Sequence, residues 1–364
     1  FGYFKQLFSS NSYPELGYLH NISMKKPTRD SRFELLRTIL MLYIIMLHFT
    51  GVVGSQTLPA FLDDFPKAFT TNFIHSLTIV GVNCFILITG WFSIKLSIQK
   101  FFDIWFRVSF IAALMYSAHL VLTTDSLILR DFIQRIFFLD GYWFIATYMS
   151  LILLAPTLNY FSAQTSLKEQ EAYLALIGGV TMVVGYRHPD VHMGYSLVSF
   201  SFLYMLSRHL RRAIEEQDAG TWAYRLYKRF SSKQFLSIYI LLAILTGLSA
   251  AVLHGYPYFY SGINVIIMSL CLFLLFVKMK PFYNRFINWM GASVLAAYVT
   301  HENFYARPVR HTYITELYNS LAFGYFFLAL LGTTLAVLLG SILLDQPRKW
   351  VWEFITKSFT SKAR

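Results

Sequence analysis

The sequence predicts an all-α fold, a polytopic integral membrane protein with about ten transmembrane helices in one bundle. Three observations carry this expectation. The chain of 364 residues is 56% hydrophobic and only 14% charged, with a mean hydropathy of +0.49, which excludes a water-soluble globule of ordinary composition. Apolar runs long enough to cross a bilayer recur along its length. Between them, lysine and arginine collect in every second loop. The 35 Phe and 24 Tyr suit lipid-facing surfaces and interfacial belts better than a stacking surface for nucleic acid, so the formal net charge of +12 is assigned to basic loops and not to a polyanionic partner.

The first run, 34–54 (ELLRTILMLYIIMLHFTGVVG), organises the rest. It carries Arg37 near its start and His48 well inside. On a helix, the eleven residues between them turn through about 1,100°, roughly 20° beyond three full turns, so both side chains share one face about 16 Å apart. An ionisable residue inside a span is costly and by default marks a functional site facing the bundle interior. His48 reads either as a proton acceptor or acyl-carrying group, or as a hydrogen-bonded histidine of the core. Arg37 reads either as a planar fork for phosphate or as an interfacial anchor.

Further runs fall at 70–93, 101–123, 142–162, 171–187, 194–207, 235–255, 262–279, 287–303 and 320–345. The second contains NCFILITGWF, in which Asn83 is polar at depth and Thr89-Gly90 permits close helix approach. The third carries Arg107, with Asp103 one turn earlier as a partner. Trp143 opens the fourth at the outer edge, as a belt anchor or a sugar platform. The fifth, sixth and ninth runs are short or interrupted, by Gly178, Gly179 and Gly185 in the fifth and by His301 closing the ninth. There Tyr298, His301 and Glu302 set a phenol, an imidazole and a carboxylate at the outer mouth, too polar for lipid.

With the N-terminus inside, the inner segments hold most of the basic residues, including Lys25, Lys26, Arg29, Arg32, Arg208, Arg211, Arg212, Lys228, Arg229, Lys278, Arg348 and Lys349. The outer loops hold only Lys67, Arg130, Arg135, Arg187, Arg307 and Arg310. That bias places both termini in the cytoplasm. The longest inner loop, 207–234, serves topology alone or attracts phosphate-bearing ligands and anionic headgroups. Residues 1–31 are read as a cytoplasmic tail, 32–346 as the membrane domain, and 347–364 as an interfacial amphipathic segment with Trp350, Trp352 and Phe354 turned to the leaflet. Met24 is an alternative start, so nothing is drawn from residues 1–23. Cys84 and Cys271 lie within apolar runs, and neither a disulfide framework nor a metal site is expected.

These segments match a family. RFELLRTILMLYIIMLHF, with Arg37 and His48, resembles the opening signature of the integral-membrane acyltransferase family 3, whose members O-acetylate cell-surface and secreted carbohydrates. NCFILITGWF, GYWFIATYMSLILLAPTLN, LVSFSFLYMLSRHLRR and MGASVLAAYVTHENF are similar to that family's second, fourth, sixth and ninth spans, in the correct order, with Thr89, Ser207 and Val299 departing from its usual residues. The resemblance implies a catalytic cavity in the cell membrane, with no bound cofactor, in which acetyl-CoA or a similar acyl-CoA docks from the cytoplasm. Arg37 and Arg107 would hold the donor and His48 would carry the chemistry, as base or nucleophile. Asn83, Trp143, Tyr298, His301 and Glu302 would support the acceptor side, toward a glycan or lipid-linked saccharide. The rival class is a transporter or flippase for an anionic or glycosyl substrate, against which the sequence offers no paired halves and no matching broken helices. A glycan polymerase would need a longer outer loop than any found.

Overall fold

The structure, a computed structural model, describes residues 30–54, 57–123, 126–138, 141–183, 192–253 and 256–361. Lys25, Lys26, Arg29, Gly185, Arg187, Lys362 and Arg364 lie outside the described residues. Among those described, every regular element is a helix.

In chain order, the helices are α1 (Ser31–Val53), α2 (Leu58–Asp63), α3 (Phe65–Thr78), α4 (Gly81–Phe92), α5 (Ile98–Thr123), α6 (Leu129–Phe137), α7 (Trp143–Gln164) and α8 (Leu167–Val183). They continue with α9 (Leu197–Glu215), α10 (Trp222–Arg229), α11 (Ser232–Ala250), α12 (Ile263–Val277), α13 (Arg285–Gly291), α14 (Val294–His301), α15 (Ala306–Ser320) and α16 (Phe323–Ser361). Within the described residues, each of the ten apolar runs is largely helical. Six segments are long and apolar enough to cross a membrane: α1, α3 with α4, α5, α7, α11 and α16. The others are shorter or more polar.

α1 is the hub. Asp30 caps it by accepting from the backbone N–H of Arg32 at 3.0 Å, and its apolar residues run round the whole circumference, the pattern of a helix buried on all sides. It packs on α3, α4, α12, α13, α14, α15 and α16. α4 and α9 cross closely, where a Cβ at Gly90 would run into the Tyr204 backbone and the Ser207 hydroxyl donates to the Leu87 carbonyl at 2.5 Å.

Two spans are interrupted: the second, which the sequence reading left whole, and the ninth, expected to be short or interrupted with His301 closing it, which breaks earlier. The second run turns at Ile79 and Val80 between α3 and α4, and the ninth breaks at Ala292 and Ser293 between α13 and α14. A break in hydrocarbon survives only if its freed backbone groups find partners. Arg107 donates to the Ala292 carbonyl at 2.9 Å, and the Lys349 ammonium reaches the Ser293 hydroxyl at 2.6 Å.

The loops also hold more helix than the sequence reading assigned. The basic loop after 207 stays helical to Glu215 and includes α10, while α15 fills the loop before the last apolar run. The tenth span and the segment after it form one 39-residue helix running through Pro347. Arg348 and Lys349 anchor it just past the proline, Arg348 on Asp345 (2.6 Å) and Asp103 (3.0 Å). Trp352 stacks on Phe106 with ring centroids 5.1 Å apart, whereas Trp350 and Phe354 are exposed. Both cysteines are free and buried.

Candidate active site

α1 presents Arg37 and His48 to two different cavities. The first holds about 250 Å³ and is lined by Arg37, Arg107, Thr89, Tyr148, Tyr298 and the broken-helix residue Ala292, among others. The two arginines expected to serve the donor therefore meet in one place. Arg37 is salt-bridged to Glu34, which is buried against Gly291; a Cβ at Gly291 would strike the Glu34 carboxylate. Arg107 pairs with Asp103 at 3.3 Å, which in turn meets Arg348, and Arg348 and Lys349 share Asp345; of these charged groups, Arg37 and Arg107 line the cavity. A guanidinium fork bordering a cavity at a helix break suits an anionic ligand.

The second site joins α1 to the end of α14. His48 Nδ1 lies 2.9 Å from Nε2 of His301 and 3.1 Å from Oε1 of Glu302. His301 directs its own Nδ1 at the Ala297 carbonyl, 2.5 Å away. A carbonyl only accepts, so His301 carries its proton on Nδ1 and offers Nε2 as an acceptor. The hydrogen-bond network then assigns the His48 proton to Nδ1, shared between His301 and the carboxylate, and leaves the lone pair of His48 Nε2 unspent. An imidazole oriented at one nitrogen by a carboxylate and open at the other is equipped to accept a proton or to attack a carbonyl carbon.

Glu302 is itself held by two arginines. Arg307 donates to Oε2 from Nε at 3.1 Å and lies 3.0 Å away through Nη2, and Arg310 bonds Oε1 while also donating to the His301 carbonyl at 2.9 Å. Behind them Asn303 donates to the Tyr142 hydroxyl at 2.8 Å, and Tyr142 donates to the Val299 carbonyl at 3.2 Å. The end of α14 is thus fixed from three directions. His48 opens onto a cavity of about 480 Å³ walled by Tyr195, Tyr258 and Tyr260, with His75, Arg310 and His311 as polar groups.

The remaining expected residues fall behind or beside this cluster. Asn83 donates to the Tyr260 carbonyl at 2.9 Å and so braces the aromatic wall. Trp143 packs on Tyr195, with centroids 4.4 Å apart, supporting that wall from behind. Tyr298 parts from its neighbours and lines the Arg37 cavity, its ring 6.1 Å from that of His301. Arg307, Arg310, Glu34 and His75 belong to the two sites although the sequence reading gave them no part in the chemistry.

The sequence between residues 30 and 345 matches acyltransferase family 3, described as an acyltransferase domain. The chain belongs to the acyltransferase 3 family. No curated protein and no solved structure matches it.

In this acyltransferase, His48, His301 and Glu302 also form the one group among the described residues with the composition of a cation site, their ligand atoms within 4.8 Å of one another. The donor set does not favour a metal. Both oxygens of Glu302 are taken by guanidinium groups, and the 2.9 Å between the imidazole nitrogens is a hydrogen-bond distance. In the acyltransferase, side chains of α1, α4, α9 and α12 contribute to one buried apolar core.

Proposed function

We propose that this acyltransferase moves an acyl group, acetyl in the simplest case, from cytoplasmic acyl-CoA to a hydroxyl of a cell-surface or exported glycan. The observation that carries the reading is the His48 ring, tied at Nδ1 and open at Nε2, on the same face of α1 as Arg37 and about 16 Å further along. That spacing is of the order of an extended pantetheine arm. Arg37 and Arg107 clamp donor phosphates at the inner end, and the thioester carbonyl reaches His48. With His48 as base, Nε2 takes the acceptor O–H proton, the oxygen attacks the thioester carbonyl, the C–S bond breaks, and the CoA thiolate leaves and is protonated. With His48 as nucleophile, Nε2 attacks the thioester carbonyl and the C–S bond breaks as CoA leaves as the thiolate; the acceptor oxygen then attacks the acyl carbon, the C–N bond breaks, and the acceptor proton goes to the thiolate. In either route the Glu302 carboxylate stands where positive charge develops on the ring.

The reading places ten spans in the cell membrane with both termini in the cytoplasm, following the loop charges. The test uses purified protein in liposomes with radiolabelled acetyl-CoA. Wild type should release CoA and pass label to glycan; a transporter would do neither. His48→Ala and His48→Gln should both lose turnover by at least about 10²-fold, since an amide cannot titrate near neutral pH, while donor affinity stays nearly intact. Arg37→Lys keeps the charge and loses the fork, so donor affinity should fall while turnover at saturation partly survives. Substantial turnover in a well-folded His48→Ala protein would overturn the proposal.

A further inference from the structure

Two neighbouring phenols, Tyr142 and Tyr298, are each 3% exposed, with ring centroids 6.2 Å apart. The Tyr142 hydroxyl is spent, accepting from Asn303 and donating to the Val299 carbonyl. The Tyr298 hydroxyl is not. Among the described residues no group accepts a hydrogen bond from it. The backbone N–H of Phe144, in the first turn of α7, faces its oxygen, and an N–H only donates, so the phenol proton is left over. A buried hydroxyl normally finds an acceptor, and one that does not is a place for a ligand to supply it.

That hydroxyl belongs to the wall of the Arg37 and Arg107 cavity, about 250 Å³ in volume. Much of the rest of the wall is apolar, with Met41, Ile44, Val82 and Leu295 among its residues. Thr89 turns its own hydroxyl to the Phe85 carbonyl at 2.8 Å, and the two arginines already meet Glu34 and Asp103. A neutral O–H donor in such a wall suits an uncharged acceptor, a carbonyl oxygen, where the guanidinium groups suit phosphate. Tyr298 also precedes His301 by three residues of α14, about 4.5 Å along the axis, and the two rings lie 6.1 Å apart. The ring of Phe144, 5.5 Å away, packs against it. Tyr298 therefore joins the donor cavity to the histidine pair.

We propose that Tyr298 is a catalytic residue of the donor side, its phenol O–H hydrogen-bonding the thioester carbonyl oxygen of the bound acyl-CoA. The inference rests on the acyl-transfer reading of the same site, and it takes Tyr298 from the acceptor side, where the resemblance put it. When His48 Nε2 or the acceptor oxygen attacks the carbonyl carbon, the C=O electron pair moves onto the oxygen and the phenol hydrogen bond strengthens. The proton stays on Tyr298. When the C–S bond breaks, the pair returns to re-form the carbonyl and the thiolate departs. A donor fixed in place before the reaction stabilises that oxyanion without reorganising.

The experiment uses the full chain in lipid nanodiscs and two unreactive donor analogues: the ketone in which a CH2 group replaces the sulfur of acetyl-CoA, and S-ethyl-CoA, which has no carbonyl. Wild type should bind the ketone about fivefold more tightly, and Tyr298→Phe should bind the two alike. Turnover of acetyl-CoA by Tyr298→Phe should fall by about 10²-fold, while its melting temperature without ligand should not drop, because no hydrogen bond within the protein is lost. Equal binding of the two analogues by wild type overturns the proposal and needs no variant. So does a preference that survives in Tyr298→Phe, or one that is lost instead in Tyr148→Phe, the other phenol lining the cavity. If the preference depends on Tyr298 but wild type releases no CoA from acetyl-CoA, Tyr298 stands as a carbonyl ligand and the acyl-transfer reading falls.

Discussion

His48 Nδ1 lies 2.9 Å from His301 Nε2, although 253 positions separate the two residues in the chain. The contact fixes more than a distance. It brings the middle of the first span against the end of a broken one, and by settling both tautomers it leaves a single imidazole nitrogen, Nε2 of His48, for chemistry. Predictions follow from what holds that pair and from what holds the helices that carry it.

Glu302→Gln keeps the shape of the side chain and removes the charge that faces His48 and both arginines. Turnover at saturating donor should fall by about 10²-fold, the cost of losing one oriented electrostatic partner, while donor affinity changes by less than about twofold. Titration with a non-reactive CoA analogue, set beside CoA release, checks both numbers. A loss of affinity with turnover preserved would place the cluster at the wrong end of the reaction.

Arg107→Ala strands the Ala292 carbonyl at the break between α13 and α14. An unsatisfied buried acceptor costs about 1–3 kcal/mol, so thermal unfolding in detergent should come earlier even without substrate. Arg107→Lys should recover part of that stability and less of the donor affinity, because a single ammonium replaces the carbonyl bond but not the fork. Equal recovery of both would mean that Arg107 acts through the helix break alone.

The α4–α9 crossing predicts a contrast between two glycines. At Gly90 a methyl group meets the Tyr204 backbone, and Gly90→Ala should cost about 1–3 kcal/mol by overpacking. At Gly179 nothing lies within 4 Å, and Gly179→Ala should be neutral or stabilise by up to about 1 kcal/mol through helix propensity. Melting temperatures of the two variants in one detergent decide it; similar shifts would mean the crossing is looser than described.

A reporter fused within 217–220 should read as cytoplasmic and one within 254–261 as external. The expectation comes from the basic loops, with Arg211, Arg212, Arg225, Lys228 and Arg229 gathered around the first segment. The opposite pattern would invert the side from which donor and acceptor approach.

The helices were legible because a hydrocarbon environment leaves the backbone little choice, and each apolar run announces itself by length. His48 and Arg37 were legible for the converse reason, as ionisable groups where none is cheap. The break in the second run was not, nor was the place of the break in the ninth. Ala292 and Ser293 are ordinary residues for a span, and their interruption is stabilised by Arg107 and Lys349 from elsewhere in the chain. The α15 helix was missed because its sequence, ARPVRHTYITELYNS, has no apolar run to find. Arg307 and Arg310 left a signal that went unused. The charge bias assigns their loop to the side poor in basic residues, where two arginines call for a carboxylate, and Glu302 holds both.

Arg37 is not an unoccupied hook, since its guanidinium already rests on Glu34, a carboxylate sealed under Gly291. Under the acyl-transfer reading, a donor phosphate gains the fork only by sharing it with, or displacing, that internal anion. Binding becomes an exchange of one negative partner for another, and its net strength is discounted by what the first pair was worth. The same carboxylate stands ready to reclaim the guanidinium once the acyl group has gone. A site built this way trades affinity for turnover: it fills only when donor is plentiful, and it lets spent CoA go quickly.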